Sequence, residues 1–571
     1  MDALSTHPYL VSVALVIAFS IVRFLYRGYR IRRQFKNLPG PPHHPIWGHI
    51  LVFADVQETL PPRIHPHILP HFIQQKYDLP PLFYLDFWPF GPNLCIIMSP
   101  TLINQAVVAP SLPKHEQVPL YVNPLAGKKA LISLEGKEWK KWRGIFNPGF
   151  SISNMMSLVP SIVDESLVFV SVLESLADSG ELFRLDERVT RLTIDVICRV
   201  VLTRRDHRSN SQIAENEIVS SFRALVDSQP DAQTINIFHL YDPRRPIKQW
   251  YYSGRLKSHL TRLLEERFVT RRTTNKKGGP KYVIDLALES YFAQKQAAKS
   301  NGFVDKDTEG QDKMLDDTFM EYAISQIRIF LFAGHDTTAS GICYAFHFLS
   351  RHPQKLAKIR QEHDKVFGTN PSDAAAMIKE LPQKLNDLPY TLAVIKEALR
   401  LYPPGSSVRA GVPGHFIVDP DNGEKYPTDG FLVWDQHLGM HRSAELWGPT
   451  VHEFIPERFL NTNSSGQQYP NPKNAWRPFS KGPRDCIGQE MALLESKIVL
   501  VLTLRSFDFT TVFDRNEITK IKPDGTEWAG RWKSKPNGIE TLWDDPCYAV
   551  MLTTSHPRDG MPTKATKRTL G

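Results

Sequence analysis

The sequence has few cysteines, and they do not form a recognisable set. Five cysteines occur among 571 residues, and no Cys-x-x-Cys pair is present, which argues against a disulfide framework and a cysteine-rich zinc site. Internal repeats and long Gly/Ser or acidic linkers are also missing. The chain is therefore expected to fold as one large domain in a reducing compartment.

Patterns for binding nucleotides and nucleic acids are missing as well. The chain has no GxGxxG unit and no flavin segment, so it is not expected to bind a dinucleotide itself. A net charge of +9 is not accompanied by a basic and aromatic nucleic-acid module, and no nucleic-acid partner is expected. The positive charge suits anionic lipid or an acidic protein instead.

An apolar segment near the N-terminus is followed by basic residues. Tyr9 to Leu25 is at the short end of the length that spans a membrane, about 17–25 residues. The positive-inside rule places its basic flank in the cytosol, and the flank consists of Arg23, Arg27, Arg30, Arg32, Arg33 and Lys36. A cleaved signal peptide would carry positive charge in front of the apolar run. We predict an uncleaved, single-pass anchor in the endoplasmic reticulum membrane, with the rest of the chain in the cytosol.

Domain boundaries follow from this segment and from the prolines after it. Leu38-Pro39-Gly40-Pro41-Pro42 stops any helix. The expected divisions are a short luminal N-terminus at 1–8, a membrane anchor helix at 9–26, a basic flank and proline-rich hinge at 27–45, a main domain at 46–560 and a disordered tail at 561–571.

Two shorter segments carry local predictions. His65, His67 and His71 lie among prolines and no cysteine joins them, so residues 61–81 are predicted to be a solvated loop and not a metal site. Leu82–Phe87 and Leu94–Met98 are strand-like runs around a turn with Pro and Gly, which predicts a β-hairpin.

One cysteine lies in a turn-rich loop directly ahead of a predicted helix. Gly482 and Gly488 allow sharp bends around Cys486, and apolar residues at helical spacing predict a helix over Gln489–Leu504. The positive end of that helix is expected to lower the pKa of the Cys486 thiol and to favour the thiolate, the form that binds metals. Arg484 adds positive charge nearby or holds a ligand carboxylate. A buried structural cysteine is the alternative.

A second candidate site lies in the longest apolar stretch after the N-terminal one. Met314–Ser350 is interrupted by polar residues too often to span a membrane, and we predict a long buried helix. Its middle contains Gly334 and Thr337, which are poor helix-interior choices, and a threonine hydroxyl that competes for backbone carbonyls can loosen a turn. Asp336, next to Thr337, supplies a carboxylate, and the two side chains can form a proton relay.

Two pairs of side chains lie at helical spacing elsewhere. Trp139 and Arg143 are four residues apart on a predicted helix, so they share a face and can hold a carboxylate. Glu397 and Arg400 are three residues apart on a helix predicted for Leu388–Tyr402. Taken alone, each pair is just as typical of an ordinary helix surface.

Together these segments resemble the cytochrome P-450 superfamily of heme-thiolate monooxygenases. Every fixed position of that family's heme-binding loop is matched, by Phe479, Gly482, Arg484, Cys486 and Gly488. Its oxygen-activation motif resembles Ala333-Gly334-His335-Asp336-Thr337-Thr338. Its propionate-binding helix resembles Trp139-x-x-x-Arg143, and its buried triad resembles Glu397-x-x-Arg400 with Arg458. The motifs occur in the family's order, and the resemblance covers Pro39 to about Asp559.

The resemblance implies a fold and a set of residue roles. The fold would be mainly α with a small β-region, with heme b between the long central helix and the Cys486 loop. Cys486 would be the axial thiolate ligand of the iron, and Asp336 and Thr337 would act in catalysis. Glu397, Arg400 and Arg458 would lock the loop. The other implied heme-binding residues are Phe479, Gly482, Arg484, Gly488, Trp139, Arg143 and, by position, Arg409.

The resemblance also implies a reaction and partners. Microsomal members of the family, and the fungal members of secondary metabolism that this chain resembles, oxidise a small lipophilic molecule such as a polyketide or terpenoid with O2. Electrons would come from NADPH through a separate flavoprotein reductase, and cytochrome b5 and membrane lipid are further expected partners. One alternative is a heme-thiolate isomerase, dehydratase or peroxygenase that needs no reductase; such relatives tend to lose the acid–alcohol pair, which is intact here. The other is a non-catalytic heme-binding membrane protein, in which the motifs would be free to drift.

Overall fold

Helices predominate in the computed structural model, which describes residues 8–202, 212, 217–229, 242–273, 279–300, 314–460, 469–521, 538–552 and 554–569. In chain order the helices are α1 (Pro8–Gln34), α2 (Ile50–Glu58), α3 (Leu69–Lys76), α4 (Pro100–Val107), α5 (Gln117–Ala126), α6 (Gly136–Phe146), α7 (Ile152–Ser179), α8 (Leu185–Leu202), α9 (Glu217–Asp227), α10 (Arg244–Thr273), α11 (Val283–Ser300), α12 (Asp317–Arg351), α13 (Pro353–Phe367), α14 (Asp373–Glu380), α15 (Pro389–Leu401), α16 (His437–His441), α17 (Ala444–Trp447), α18 (Gln489–Leu504) and α19 (Arg515–Ile518).

Short strands form small sheets beside the helices. They are β1 (Leu82–Leu85), β2 (Leu94–Ile97), β3 (Phe183–Arg184), β4 (Ser407–Ala410), β5 (Phe416–Val418), β6 (Lys425–Pro427), β7 (Leu432–Asp435), β8 (Phe507–Thr511), β9 (Ala549–Met551), β10 (Ser555–Pro557) and β11 (Pro562–Lys567). The predicted hairpin is confirmed, since β1 and β2 pair antiparallel. The largest sheet has the order β1-β2-β7-β4, and the other sheets are β10-β9, β3-β11-β8 and β5-β6. The predicted fold class, mainly α with a small β-region, is confirmed.

The long helix α12 runs through the middle of the domain, as predicted from its apolar residues. Asp316 caps its N-terminus by accepting a hydrogen bond from the Phe319 backbone N–H at 2.8 Å. The helix packs against α8, α15 and α18. Gly334 permits the close approach of α8, because a Cβ at this position would lie 2.6 Å from the Ile197 side chain. These contacts place the middle of α12 opposite the N-terminus of α18.

The N-terminal helix α1 extends beyond the predicted anchor and docks on the main domain. It is 27 residues long, and it is one of two helices in the described part of the chain that are apolar and long enough to cross a membrane; the other, α7, is partly buried in the domain. Gly28 lies against the Trp88 ring, where a Cβ would come within 2.5 Å. Arg32 donates to the backbone oxygens of Pro45, at 2.7 Å, and of Trp88, at 3.1 Å. Residues 27–34, which lie in the predicted basic flank and hinge, are therefore helical, and Gly28 and Arg32 hold this end of the helix against the main domain.

The predicted solvated loop at 61–81 is wrong. The segment contains α3, preceded by a short turn of 3-10 helix at Pro66–Ile68, and both His67 and His71 are buried. Burial lowers the pKa of His71 to about 3, so the ring is neutral and packs as an apolar group. The prediction failed because prolines in the first turn of a helix, where no N–H partner is needed, are tolerated. No metal-binding group of three or more side chains occurs in the described ranges.

The predicted disordered tail is also wrong over most of its length. Pro562–Lys567 forms β11, which pairs antiparallel with β8 and β3. Met561 and Ala565 are buried, so the segment is held by packing as well as by backbone hydrogen bonds. Residues 570 and 571 lie outside the described part of the chain.

Candidate active site

A cavity of about 370 Å³ lies between α12 and the loop from Phe479 to Gly488. Its wall on the α12 side includes Ile329, Phe330 and Thr337, and Ile197 of α8 closes the same side. Phe479, Cys486 and Gly488 line the opposite side. The structure thus brings two of the motifs recognised in the sequence to opposite walls of one mainly apolar space.

The loop that carries Cys486 is fastened by its own backbone. The Cys486 N–H donates to the Phe479 carbonyl at 3.0 Å, and the Asp485 N–H donates to Gly482 at 3.1 Å. Gly482 has φ +84°, and a Cβ there would lie 2.3 Å from the Val107 carbonyl oxygen at the end of α4. Only glycine fits this combination of backbone angle and close approach. Gly482 therefore shapes the loop from behind and does not itself line the cavity.

Cys486 presents its side chain to the cavity. It is exposed there, whereas the other cysteines are buried or half-buried. Although the side chain is open to the cavity, the protein around it keeps it from bulk water, and this desolvation raises the pKa of the Cys486 thiol; a backbone hydrogen bond at Gly488 and the positive charge of Arg143 oppose this effect. The helix N-terminus therefore acts in the expected direction, through its N-cap residue Gly488, but desolvation outweighs it and the net shift of this pKa is upward. Coordination to a metal ion would itself deprotonate the thiol.

Cationic side chains line one edge of the cavity. The Arg484 guanidinium lies 4.3 Å from the centre of the Trp139 ring, donates to the Leu134 carbonyl at 2.8 Å and pairs with Glu135. Arg143 donates to the Asp485 carbonyl at 2.8 Å and to its carboxylate at 2.9 Å. Trp139 and Arg143 both line the cavity, as their shared helix face predicts, and Arg143 also holds the residue next to Cys486.

Two further cations lie near Arg484: Lys114 lines the cavity, and Arg409, which does not line it, is close enough for the charges of the three to repel one another. Arg409 is fully buried and bonds to Ser407 Oγ at 2.8 Å, while its Nε and Nη2 have no hydrogen-bond partner among the described residues. Burial lowers the pKa of Arg409 to about 10; Asp435 opposes this shift, and nearby Arg484 adds to it. The pKa of Lys114 is lowered by burial and then by Arg409 and Arg484. A fully buried guanidinium with vacant hydrogen-bond positions, close to two other cations, is costly.

This edge of the cavity fits the carboxylates of a heme. Two propionates would pair with Lys114, Arg409 and Arg484, fill the vacant hydrogen-bond positions of Arg409 and relieve the repulsion among the cations. The apolar residues of the cavity would contact the rest of the heme, and Cys486 offers a sulfur on the wall opposite α12. The donor set therefore fits a heme with one thiolate ligand.

The acid–alcohol pair of α12 is split between two sides of the helix. Thr337 lines the cavity, and its Oγ1 lies 2.9 Å from the Ala333 carbonyl. This side-chain bond does not loosen the helix, which is continuous over Asp317–Arg351. Asp336 does not line the cavity, although the motif implies that it acts in catalysis with Thr337. Its carboxylate is fully buried and is held by His556 Nε2 at 3.1 Å and by the Thr554 hydroxyl at 2.7 Å.

The buried triad that the family resemblance implies is assembled, and its Glu397–Arg400 contact is the one that helical spacing predicts. Arg400 donates from Nε and Nη2 to the two Glu397 oxygens at 2.7 and 2.8 Å, and Arg458 Nε lies 3.4 Å from Glu397 Oε1. The Ile455 N–H donates to Glu397 at 2.9 Å. Arg458 also donates to the Trp447 and Thr450 carbonyls. The triad therefore ties α15 to the segment from 441 to 458.

One histidine connects this triad to the Cys486 loop. His441 Nδ1 lies 3.1 Å from the Arg400 carbonyl, and its Nε2 accepts a hydrogen bond from the Arg477 N–H at 2.9 Å. Burial lowers the pKa of His441 well below its usual value, so the ring is neutral and can donate from Nδ1 while it accepts at Nε2. The Arg477 carbonyl in turn accepts from the Ser480 N–H at 2.9 Å.

Sequence reasoning missed Lys114, His441 and the partners of Asp336. Lys114 lies in a proline-rich segment without periodicity, and its only signal is that it is a lone basic residue between prolines and a helix. His441 and His556 carry no motif, because their roles depend on partners that are distant in the chain. The motifs did identify the three residues of the triad. They also identified Arg484, Trp139 and Arg143 at the edge of the cavity.

Comparisons with known proteins agree with this arrangement. A model of the family described as Cytochrome P450 matches residues 38–528. A cytochrome P450 monooxygenase, polC, of Polytolypa hystricis is 38% identical over 519 residues, which cover 89% of this chain and 89% of that protein. A cytochrome P450 monooxygenase, acrF, of Aspergillus aculeatus is 33% identical over 529 residues, with 89% of this chain and 98% of that protein covered. A third, ptmG of Penicillium ochrochloron, is 28% identical over 511 residues, covering 88% of each.

Proposed function

Because this chain belongs to the cytochrome P450 family, and is by that membership a heme-thiolate monooxygenase, we propose that it oxidises a small lipophilic molecule with O2 and electrons from NADPH. The observation that carries the proposal is Cys486, exposed to a mainly apolar cavity whose opposite wall contains Thr337. A thiolate ligand suits oxygen activation at a heme iron, and a hydroxyl on the facing wall can hold a proton there.

The residues of the cavity divide into groups with different tasks. Cys486 would bind the iron, and Lys114, Arg409, Arg484 and Trp139 would hold the propionate edge. Thiolate ligation pushes electron density to the heme iron and favours cleavage of the O–O bond. The Thr337 hydroxyl would hold a proton at the α12 wall, and Asp336 would supply protons from behind it.

The lining of the cavity supports an apolar substrate. Ile197, Ile329 and Phe330 supply hydrophobic walls, and pockets of this kind bind ligands mainly through apolar contact and orient them with a few polar groups. Relatives from Aspergillus and Penicillium support a role in fungal secondary metabolism. Hydroxylation or a related oxidation of a polyketide or terpenoid is the proposed reaction.

The membrane and redox partners are proposed from exposed parts of the chain. The N-terminal helix α1 is consistent with a membrane anchor, and we assign it to the endoplasmic reticulum, with residues 1–8 luminal and the catalytic domain cytosolic. Lys137, Lys140 and Lys141 are exposed on α6, the helix that also carries Arg143 at the cavity. This basic surface would receive an acidic NADPH-dependent reductase, or cytochrome b5, near the heme.

One observation favours a second function. Because Asp336 faces away from the cavity, Thr337 is left without an adjacent acid there, as in a heme-thiolate enzyme that uses peroxide or rearranges its substrate without a reductase. Turnover of the candidate substrates with hydrogen peroxide alone, at a rate equal to or above that with reductase and NADPH, would favour this alternative.

The proposal is tested with purified holoenzyme and the variant Cys486→Ser. The wild type is expected to show the red-shifted absorption band of the reduced CO complex and to consume NADPH in the presence of reductase and substrate. Cys486→Ser should lose both, because a serine hydroxyl is not a thiolate ligand. Cys198→Ser, which removes a half-buried cysteine outside the loop, should keep both. A retained band in Cys486→Ser contradicts the ligand assignment.

A further inference from the structure

A cluster of buried ionisable groups lies directly behind the cavity wall. His556 of β10 is fully buried between two carboxylates, Asp186 in the first turn of α8 and Asp336 on α12. Its Nδ1 lies 2.9 and 3.1 Å from the Asp186 oxygens, and its Nε2 lies 3.1 Å from Asp336 Oδ1. We call these three residues the clamp.

The hydrogen bonds of the clamp define its charge. Ionised carboxylates only accept hydrogen bonds, so an imidazole between two of them must donate from both nitrogens and is an imidazolium. Burial lowers the pKa of His556, but the carboxylates of Asp186 and Asp336 raise it more, to about 9. The clamp is therefore one buried positive charge between two negative charges at neutral pH.

Other titratable groups of the described chain surround the clamp. On α12 these are His335 and Cys343, whose Nε2 and Sγ lie 4.0 Å from Asp336 and Asp186 respectively, and Tyr344; Cys547 and, ahead of α3, His65 also face it. Burial and His556 lower the pKa of His65 to about 3, and burial raises the pKa of Cys343. These two groups are therefore neutral near pH 7.

A histidine with only a structural role would not need two carboxylate partners or a place directly behind the cavity wall. Taking charges out of water is costly, and a buried ion cluster contributes little net stability compared with apolar packing. What the clamp does achieve is to fix the direction of Asp336. His556 takes one oxygen and Thr554 takes the other, so both oxygens point away from the cavity that Thr337 lines.

We propose that His556 is a positioning residue for Asp336, and that the clamp holds the Asp336 carboxylate ionised and turned from the cavity until its bond to His556 breaks. This inference rests on the proposed monooxygenase function. When that bond is broken, rotation of the Asp336 side chain brings a carboxylate toward the Thr337 side of α12. His556 thus controls when protons pass from the buried side of the helix to the cavity.

The first test measures the charge of the clamp without any turnover. In holoenzyme, His556→Gln should be less stable to heat than the wild type at pH 6. A group with a raised folded-state pKa stabilises below its unfolded pKa, about 6.5, and loses this effect as the pH rises through the folded value of about 9. The difference in Tm should therefore shrink between pH 6.5 and pH 9.5. A difference that stays constant over this range overturns the charged clamp.

The second test measures proton control. With reductase, NADPH and substrate, His556→Gln should form at least fivefold less product per NADPH consumed and release more hydrogen peroxide, with KM for substrate within twofold of the wild type. His347→Gln is the matched control: His347 is also buried on α12 and pairs with one carboxylate, Asp545, at 2.8 Å. This control should leave the ratio unchanged. An unchanged ratio in His556→Gln, or an equal loss in His347→Gln, overturns the proposal.

A second variant covers the case in which His556→Gln does not fold. Asp186→Asn keeps the shape of the clamp but removes one negative charge, so the pKa of His556 should fall. The stability that the His556 charge contributes should then be lost at a lower pH in the variant than in the wild type. Its product ratio should fall as well. If the wild type itself shows no NADPH-dependent turnover, the proposed function fails, while the Tm comparison still decides whether the charged clamp exists.

Discussion

Replacing Glu397 by glutamine tests whether the buried triad holds the Cys486 loop in place. The carboxylate is fully buried and bonds to Arg400 at 2.7 and 2.8 Å, and Arg458 lies 3.4 Å away. Glutamine keeps the size and one acceptor oxygen but turns an amide N–H₂ toward a guanidinium. Two buried arginines are then left without a counter-charge.

The magnitude follows from the burial of the triad. Breaking a buried ion pair by removing one partner costs about 3–5 kcal/mol, because the remaining charge stays desolvated. Domains are stable by about 5–15 kcal/mol in total, so Glu397→Gln should lose a large share of the free energy of unfolding. Since His441 and Arg477 connect the triad to the loop, the fraction of protein with the reduced-CO thiolate band should fall as well.

The measurement is unfolding in urea, followed by circular dichroism and by the heme absorption together. Glu457→Gln is the matched control, because Glu457 is half-buried in the neighbouring turn and pairs with Lys358 at 2.9 Å. Pairs of this kind contribute about 0–1 kcal/mol, and this variant should retain the thiolate band. A loss below about 1 kcal/mol for Glu397→Gln would refute the reasoning.

Two further predictions concern the loop and the basic surface. Gly482→Ala should lose more stability than Gly414→Ala, measured by thermal unfolding. Both glycines have positive φ, which costs an alanine about 1–2 kcal/mol. A Cβ at 482 would also lie 2.3 Å from a backbone oxygen of α4, whereas a Cβ at 414 meets nothing within 4 Å. Equal losses would contradict a steric role for Gly482. Reversal of charge at Lys137, Lys140 and Lys141 should slow the first electron transfer from reductase at low salt, and the difference should shrink at high salt; unchanged stopped-flow reduction rates would remove this surface from the docking site.

Local patterns predicted the parts of the molecule that local interactions determine. The helical spacing of apolar residues predicted α12 and α18, and the latter has the predicted bounds, Gln489–Leu504. Spacing of three residues predicted the contact between Glu397 and Arg400. The sharp bend that glycine allows was predicted at Gly482, and this residue has φ +84°.

The errors arose where residues distant in the chain determine the orientation, pKa or pairing of a residue. Asp336 is turned by His556 and Thr554, which lie 220 and 218 residues further along the chain, so no local pattern contains its orientation. The pKa of Cys486 was predicted from one helix dipole, whereas desolvation by the surrounding protein determines the direction of its shift. The tail became β11 because partners for its backbone come from β3 and β8.

If α1 is the membrane anchor proposed above, its docking on Trp88 links the geometry of the catalytic domain to that of the bilayer. Because Gly28 and Arg32 fix the end of the helix, the tilt of the helix in lipid becomes the tilt of the whole enzyme. Each residue inserted ahead of Gly28 would raise the domain by about 1.5 Å and turn the lipid-facing part of the helix by about 100°. In that arrangement, the length of α1 sets the distance between the hydrocarbon region of the bilayer and the cavity, which a substrate dissolved in lipid has to cross.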